Sequence, residues 1–293
     1  MTEFVPDILA PHPDPRKPGF EMPAKACDAH CHVFGPGALF PYAPNRSYTP
    51  PDASKADLKA LHDHLGIERC VIVQASCHGT DNSAMVDAIR TSNGRYKGVG
   101  MVDDDVTDEE LADLNAGGVL AARFNFVRHL GGPPDLDVFH NVIPRIAELG
   151  WHVVLHLDDR DIVDYEDMFA KLPLPIVIDH MGRVDPSQGL EAAPMQTLLK
   201  FMEYDNVWVK VSGSERISKT GSPYDDAAAI ARALVEKAPD RVLWGTDWPH
   251  PNMKPGQVPD DGELVDIIPK FAVDEELRQK LLVDNPNRLY GFD

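Results

Sequence analysis

Residues 26–34 read Ala-Cys-Asp-Ala-His-Cys-His-Val-Phe, a short apolar run interrupted by one aspartate and two histidines. Seven further short runs, rich in apolar and β-branched residues, follow along the chain at 69–76, 96–103, 119–126, 151–157, 175–181, 207–213 and 241–249. Continuous apolar runs of this length are typical of strands in a parallel sheet that is covered on both faces. The chain is therefore predicted to contain eight parallel strands.

Helical patterns lie between these runs, at 54–65, 81–91, 108–116, 136–149, 162–172, 194–202 and 224–237. Alternation of strand and helix through eight units predicts an α/β protein with a single (β/α)8 TIM barrel. An open dinucleotide-binding sheet is the rival architecture, but no glycine-rich phosphate turn follows the first run. A last helical pattern at 274–282 predicts a closing helix that ends at Asn285 and Pro286.

The 293 residues suit one barrel domain, because such barrels commonly occupy about 250 residues. We expect the barrel to span residues 23–293. Residues 1–22 are polar, contain five prolines and lack the charged-then-apolar layout of a secretion signal, so we expect a loose N-terminal arm there. No stretch approaches the roughly 18 consecutive apolar residues of a membrane span, and none is predicted.

Acidic residues dominate the charge of the chain. The 47 aspartates and glutamates outnumber the 28 lysines and arginines, which gives a formal net charge of -19. Nucleic acids and anionic membrane surfaces require a basic face, so neither is expected as a partner. An anionic small molecule would need a local basic pocket that works against the overall field.

The cysteines are expected to be free thiols. The four of them, Cys27, Cys31, Cys70 and Cys77, lie in or beside predicted strands. Buried thiols in a reducing cytoplasm fit this placement better than disulfides do. Cys27 and Cys31 lack a second cysteine pair at suitable spacing, so a thiolate metal site is not predicted.

Histidines and one aspartate occur at the ends of four predicted strands. His30 and His32 are two residues apart, and the strand repeat of two points both rings to the same face. His156 ends the fifth run, His180 the sixth, and Asp247 lies in the eighth. A single histidine of this kind is more often a hydrogen-bonded core residue. Five such residues at equivalent strand ends indicate one active site at the carboxyl end of the barrel.

The same residues resemble the amidohydrolase superfamily, which carries His-x-His on the first strand, His on the sixth and Asp on the eighth. From about residue 20 to the carboxyl terminus, the sequence motifs are similar to those of 2-pyrone-4,6-dicarboxylate lactonases and 4-sulfomuconolactone hydrolases. The matching motifs are DAHCHVFGP (28–36), VQASCHG (73–79), RFNF (123–126), GWHVV (150–154), DHMGR (179–183) and WGTDWPHPN (244–252).

The resemblance implies hydrolysis of an ester-type bond. In the dicarboxylate lactonases the aspartate of the eighth strand is the general base that activates water without a metal, and Asp247 takes that role here. His30, His32 and His180 are the candidate catalytic donors to the charge that grows on the carbonyl oxygen. They would serve this purpose also by holding a divalent cation.

Basic and hydroxyl side chains near other strand ends are candidates for substrate binding. Guanidinium groups form bidentate hydrogen bonds with carboxylates or sulfonates, which favours arginine where an anionic substrate binds. A surface salt bridge is the alternative for each arginine in so acidic a chain. The expected substrate therefore carries at least two negative charges, and its candidate ligands are Arg123, Arg128, Arg183, Arg216, Ser76, His78 and Tyr48.

Two positions depart from the dicarboxylate lactonase pattern. His156 stands where better-known relatives carry a tyrosine, and Arg128-His129 stands where they carry Lys-Arg. His156 either binds a substrate oxygen or completes a metal-ligand set that suits one zinc ion and its activated water. That predicted set is His30, His32, His156, His180 and Asp247.

The function expected from the resemblance is lactone hydrolysis in the catabolism of aromatic compounds. The departures at His156 and His129 favour 4-sulfomuconolactone, opened to maleylacetate and sulfite, and 2-pyrone-4,6-dicarboxylate is the alternative substrate. A sugar-lactone isomerase or aldonolactonase is a second alternative, although a pocket rich in arginine does not suit a polyhydroxylated substrate. A decarboxylase would use the same residues. A non-catalytic binding protein is disfavoured because the full set of histidines and Asp247 is retained.

Overall fold

The computed structural model describes residues 5–292. Eight strands are hydrogen-bonded in chain order, each parallel to the next, which confirms the predicted (β/α)8 barrel. Their bounds are β1 Cys27–Cys31, β2 Arg69–Val73, β3 Tyr96–Gly100, β4 Val119–Asn125, β5 His152–His156, β6 Ile176–Ile178, β7 Val207–Lys210 and β8 Val242–Leu243. Backbone bonds from Ala29 N to Trp244 O and from His32 N to Trp248 O join the first strand to the segment after the last one.

Helices connect successive strands. The patterns predicted at 54–65, 108–116, 136–149, 194–202 and 224–237 are confirmed to within one residue at each end. The helices are α1 Lys55–Leu65, α2 Ser83–Arg90, α3 Asp108–Ala116, α4 Leu136–Glu148, α5 Asp159–Asp164, α6 Glu166–Phe169, α7 Ala193–Phe201, α8 Ser214–Ile217, α9 Asp225–Lys237, α10 Asp261–Asp266, α11 Ile268–Phe271, α12 Glu275–Gln279 and α13 Asn285–Tyr290.

Capping explains why α1 begins and ends where it does. The side chain of Ser54 accepts from the backbone N–H of Asp57, and the Asp57 carboxylate accepts from the Ser54 N–H, which makes a capping box. At the other end Gly66 adopts a left-handed conformation with φ of 81°. Glycine reaches this conformation without the steric penalty of a Cβ atom, so the helix stops there.

The end of the chain differs from the prediction. The closing helix does not end at Asn285 and Pro286: a π-helical turn, Lys280–Asp284, follows α12, and α13 continues to Tyr290. Pro286 lies in the first turn of α13, where a missing N–H costs no hydrogen bond. The pattern at 162–172 was likewise wrong, since α5 and α6 are two short helices that cover Asp159–Asp164 and Glu166–Phe169.

Two apolar layers stabilise the barrel. The larger layer lies between the strands and the helices, and the smaller one fills the barrel interior with residues that include Ala29, Val71, Val99, Ala121, Val154, Val177 and Leu243. Tyr290 and Phe292 belong to the interior layer, so the chain end packs against the amino ends of the strands. The functional side chains are thus left to the opposite, carboxyl end.

The described part of the amino-terminal arm is tied to the barrel. Thr49 N donates to Asp7 Oδ1 at 2.7 Å, and Phe20 N donates to Asp266 Oδ1 at 2.7 Å. These bonds fasten the arm to the loop after β1 and to α10. Over residues 5–22 the expectation of a loose arm is therefore replaced by a segment with specific partners.

Two other expectations concern the whole chain. The four cysteines are buried and free, as predicted. Within residues 5–292, no helix combines the length and the apolar character that crossing a membrane requires.

Candidate active site

A narrow cleft opens at the carboxyl ends of the strands. Several sequence-predicted residues converge there from loops far apart in the chain. The cleft is lined by His32, Tyr48, Ala75, Ser76, Arg123, His129, Leu130, His156, His180, Arg216, Asp247, Pro251 and Asn252.

Asp247 is the centre of this cluster and is buried. Arg216 Nε donates to Asp247 Oδ2. His32 Nε2 lies 3.2 Å and His30 Nε2 lies 3.5 Å from Asp247 Oδ1, while His180 Nε2 lies 3.8 Å from Oδ2. The structure therefore brings the three predicted catalytic histidines around the carboxylate of the fourth predicted residue, Asp247.

Asp247 is held in a left-handed backbone conformation, with φ of 62°. Its N–H donates to His30 O at 2.7 Å, which joins the turn after β8 to β1. Gly245 permits this approach, because a Cβ atom there would lie 2.4 Å from His30 N. Strained backbone of this kind is common where a side chain must point into an active site.

A buried aspartate below the cleft fixes these two segments. Asp28 Oδ1 accepts from the backbone N–H groups of His30 and Thr246, both at 3.0 Å, and Oδ2 accepts from Thr246 Oγ1 at 2.6 Å. His62 Nε2 lies 3.1 Å from Oδ2. Burial lowers the pKa of His62, but the hydrogen bond that it donates to Asp28 helps raise that pKa to about 9. Asp28 thereby positions both His30 and Asp247.

Asp247 is ionised at neutral pH. Burial alone would raise its pKa, but the Arg216 guanidinium and the surrounding histidines hold it well below the usual range of a carboxyl group. An ionised, buried carboxylate at hydrogen-bond reach of the cleft can accept a proton from a water molecule. This is the chemistry that the sequence resemblance implied for Asp247.

A second buried network, which sequence reasoning missed, lies behind His30. Lys210 Nζ is 3.0 Å from His30 Nδ1 and 3.1 Å from Asp179 Oδ1, and Arg123 Nε donates to Asp179 Oδ2 at 2.9 Å. Burial would raise the pKa of Asp179, but Lys210, His30 and Arg123 together hold it well below its usual range. A lysine at the end of the apolar run Val-Trp-Val-Lys was the available signal, because a buried ammonium requires a partner.

His156 offers an acceptor to the cleft. Its Nδ1 lies 3.0 Å from Asn125 Oδ1, to which it donates, and its Nε2 is buried without a hydrogen-bond partner among the described residues. Burial and the charge of Arg123 hold the pKa of His156 well below its usual value, so the ring is neutral. Its Nε2 therefore faces the cleft as an unprotonated acceptor.

The four predicted arginines divide between two pockets. Arg123 and Arg216 line the cleft, whereas Arg128 and Arg183 line an adjoining pocket that also includes Arg216. Asp158 accepts from the Arg128 backbone N–H at 3.0 Å and from Arg183 Nε at 3.2 Å. Arg128 and Arg183 are thus placed beside the cleft and not within it.

Of the remaining predicted binding residues, two line the cleft and one lies outside it. Tyr48 and Ser76 line the cleft, and Ser76 Oγ donates to the Tyr48 hydroxyl at 3.4 Å. His78 is not among the lining residues. Its Nε2 accepts from Gly35 N at 3.0 Å and its Nδ1 donates to Pro41 O at 3.1 Å, so both ring nitrogens hold the loop after β1.

The predicted five-residue metal set is not assembled around one point. Among the described residues, His30, His180 and Asp247 have ligand atoms that all lie within 4.8 Å of one another, and this cluster could hold an ion. His32 and His156 are outside that group. The Arg216 guanidinium already binds Asp247 and the Lys210 ammonium contacts His30. These two cations disfavour a divalent ion, and the arrangement does not fit zinc held by all five residues.

A barrel with His-x-His on β1 and an aspartate after β8 defines a class of enzyme. The family model described as Amidohydrolase matches residues 27–292 of this chain. The chain therefore belongs to the amidohydrolase family, which confirms the resemblance seen in its motifs.

Individual relatives are similar over nearly their full lengths. A 2-pyrone-4,6-dicarboxylate hydrolase of Comamonas testosteroni is 52% identical, over 99% of this chain and 98% of the relative. A 4-sulfomuconolactone hydrolase of Rhizobium radiobacter is 42% identical, over 98% and 97%. A solved Acinetobacter baumannii structure, named for 2-pyrone-4,6-dicarboxylic acid hydrolysis and containing citric acid, superposes with a TM-score of 0.81 at 28% identity, over 92% of this chain and 100% of that one.

Proposed function

We propose that this amidohydrolase is a lactone hydrolase that opens 2-pyrone-4,6-dicarboxylate. The observation that carries the proposal is the ionised Asp247 carboxylate, placed among histidine donors in a cleft that also contains Arg123 and Arg216. The 52% identity to a hydrolase of that dicarboxylate supports the choice of substrate.

The dicarboxylate replaces the sulfonated lactone that the sequence favoured. That preference depended on His156 and His129, and the 4-sulfomuconolactone hydrolase is the more distant of the two relatives, at 42% identity. The geometry of His156 removes its share of that preference. With Nδ1–H donating to Asn125, its Nε2 has no proton to donate to a sulfonate oxygen.

The reaction adds water across the ring ester. Asp247 takes a proton from water, and the resulting hydroxide forms a bond to the lactone carbonyl carbon. The carbonyl oxygen becomes negative and is stabilised by hydrogen-bond donors beside Asp247. The bond from that carbon to the ring oxygen then breaks. The ring oxygen leaves as an enolate, which recovers the proton from Asp247.

The arginines meet the charge of the substrate. Arg123 and Arg216 line the cleft itself and can pair with the two ring carboxylates. Arg128 and Arg183 lie in the adjoining pocket, where they can attract an anion toward the opening despite a net charge of -19. A neutral aldonolactone carries no charge that requires this arrangement.

The substrate assignment predicts an order of catalytic efficiency. The purified protein should show a higher kcat/KM for 2-pyrone-4,6-dicarboxylate than for 4-sulfomuconolactone, and little activity on an uncharged aldonolactone. Ring opening can be followed by loss of pyrone absorbance, with the sulfonated lactone assayed in parallel by sulfite release. A higher kcat/KM for the sulfonated lactone, or no activity on either, would contradict the assignment.

The zinc ion expected from the sequence is not part of this proposal, because Arg216 and Lys210 already place positive charge on two of the three clustered ligands. Protein purified without chelator should contain well below one equivalent of metal and keep full activity after dialysis against chelator. Elemental analysis of the sample used for kinetics tests both statements. Activity that chelator removes and added zinc restores would show that the ion is required.

A further inference from the structure

Lys210 is a fully buried charge that the proposed hydrolysis does not use. It ends β7, its side chain is 0% exposed, and its ammonium lies 3.0 Å from His30 Nδ1 and 3.1 Å from Asp179 Oδ1. Burying an ammonium is costly unless it is paired, so its position is supported by the carboxylate of Asp179. The contact with His30 is not required for that pairing and has a consequence of its own.

The hydrogen-bonding capacity of the groups decides which nitrogen of His30 carries the proton. An ammonium has N–H donors and no acceptor, so His30 Nδ1 must accept from Lys210. A ring nitrogen that accepts a hydrogen bond carries no hydrogen of its own, so the ring holds its single proton on the other nitrogen. That proton is then on Nε2.

We propose that Lys210 is a positioning residue that sets the tautomer of His30, so that Nε2, the ring nitrogen on the side of Asp247, carries the proton. Nε2 is buried, lies 3.5 Å from Asp247 Oδ1 and makes no hydrogen bond within residues 5–292. A preorganised donor beside the base is suited to the oxygen that becomes negative during ester hydrolysis. This use of the donor rests on the proposed function, whereas the tautomer does not.

Two neighbouring histidines use Nδ1 in the opposite way, as a donor to a carbonyl or amide oxygen. His32 Nδ1 donates to Val73 O at 2.8 Å, and His156 Nδ1 donates to Asn125 Oδ1 at 3.0 Å. Both rings therefore carry a proton on Nδ1. Without Lys210, His30 would also carry its proton on Nδ1, because Asp179 Oδ1 lies 3.2 Å from Nδ1 and would accept the hydrogen bond.

The tautomer can be measured directly by NMR of the whole protein labelled with ¹⁵N in its histidines. The two ring nitrogens differ in chemical shift according to which one is protonated, and His30→Asn identifies the His30 signals. We expect the proton on Nε2 in the unmodified protein and on Nδ1 in Lys210→Met. A proton on Nδ1, or on both nitrogens, in the unmodified protein overturns the proposal even if the variant does not fold.

Kinetics then test what the tautomer does. Loss of one donor to the developing oxyanion typically lowers kcat by about 10²–10³-fold, and we expect that effect in Lys210→Met with KM changed only a few-fold. Lys200→Met, which removes an exposed lysine paired with Glu166, is the matched control and should retain both constants.

The outcomes separate the two proposals. A variant that moves the proton to Nδ1 yet keeps kcat overturns the catalytic use of the donor. A variant whose tautomer is unchanged overturns the role of Lys210. If the unmodified protein opens neither lactone, the proposed function fails, and the NMR spectra still decide the tautomer.

Discussion

Asp247→Asn is expected to lower kcat by about 10²–10⁴-fold while KM changes little. Asparagine keeps the shape of the side chain but cannot accept a proton from water, and this range is typical for the loss of a general base. Steady-state rates on 2-pyrone-4,6-dicarboxylate, with thermal unfolding to confirm that the variant is folded, provide the measurement.

The control for this variant is Asp266→Asn. Asp266 is also paired with an arginine, since its Oδ2 lies 2.7 Å from Arg16 Nη2, but it belongs to α10 and not to the cleft. Its removal should leave kcat near normal. If folded Asp247→Asn turned over at the normal rate, Asp247 would not be the base.

Arg216→Met is expected to reduce kcat/KM for the dicarboxylate through both constants. Arg216 lines the cleft and also donates to Asp247, so its loss removes a partner of the substrate and a support of the base. Removing one member of a buried charge pair costs about 2–5 kcal/mol, which corresponds to roughly 30- to 4,000-fold. The comparison is made by measuring kcat and KM on the dicarboxylate and on an uncharged lactone ester.

The uncharged ester separates the two roles of Arg216. Pairing with a substrate carboxylate predicts a much larger loss for the dicarboxylate than for the uncharged ester. Equal losses on both would mean that Arg216 acts only through Asp247. Arg232→Met removes a half-exposed arginine that pairs with Glu236 on α9, and it should change neither set of constants.

Most of the barrel could be predicted from local pattern. The helices α1, α3, α4, α7 and α9 lie within a residue of their predicted bounds, because the pattern that predicts a helix is local. At α1, α3 and α4 a capping side chain also marks the start. The predicted strands were too long at their carboxyl ends. In β6 the run continues past Ile178, but His180 and Met181 have φ of 49° and 54°, and such turns toward the cleft are stabilised by tertiary contacts that periodicity does not reveal.

The sequence by itself determined the barrel, the amidohydrolase family and the convergence of His30, His32, His180 and Asp247. Strand alternation and the parallel order place these residues at one end regardless of side-chain detail. Only the tertiary structure decided which charged side chains form ion pairs. Arg216 pairs with Asp247, and Lys210 pairs with Asp179 and His30, across 31 or more positions in the chain. Ion pairing and the tautomer of a histidine depend on distances of about 3 Å between such groups, and no local pattern in the chain encodes those distances.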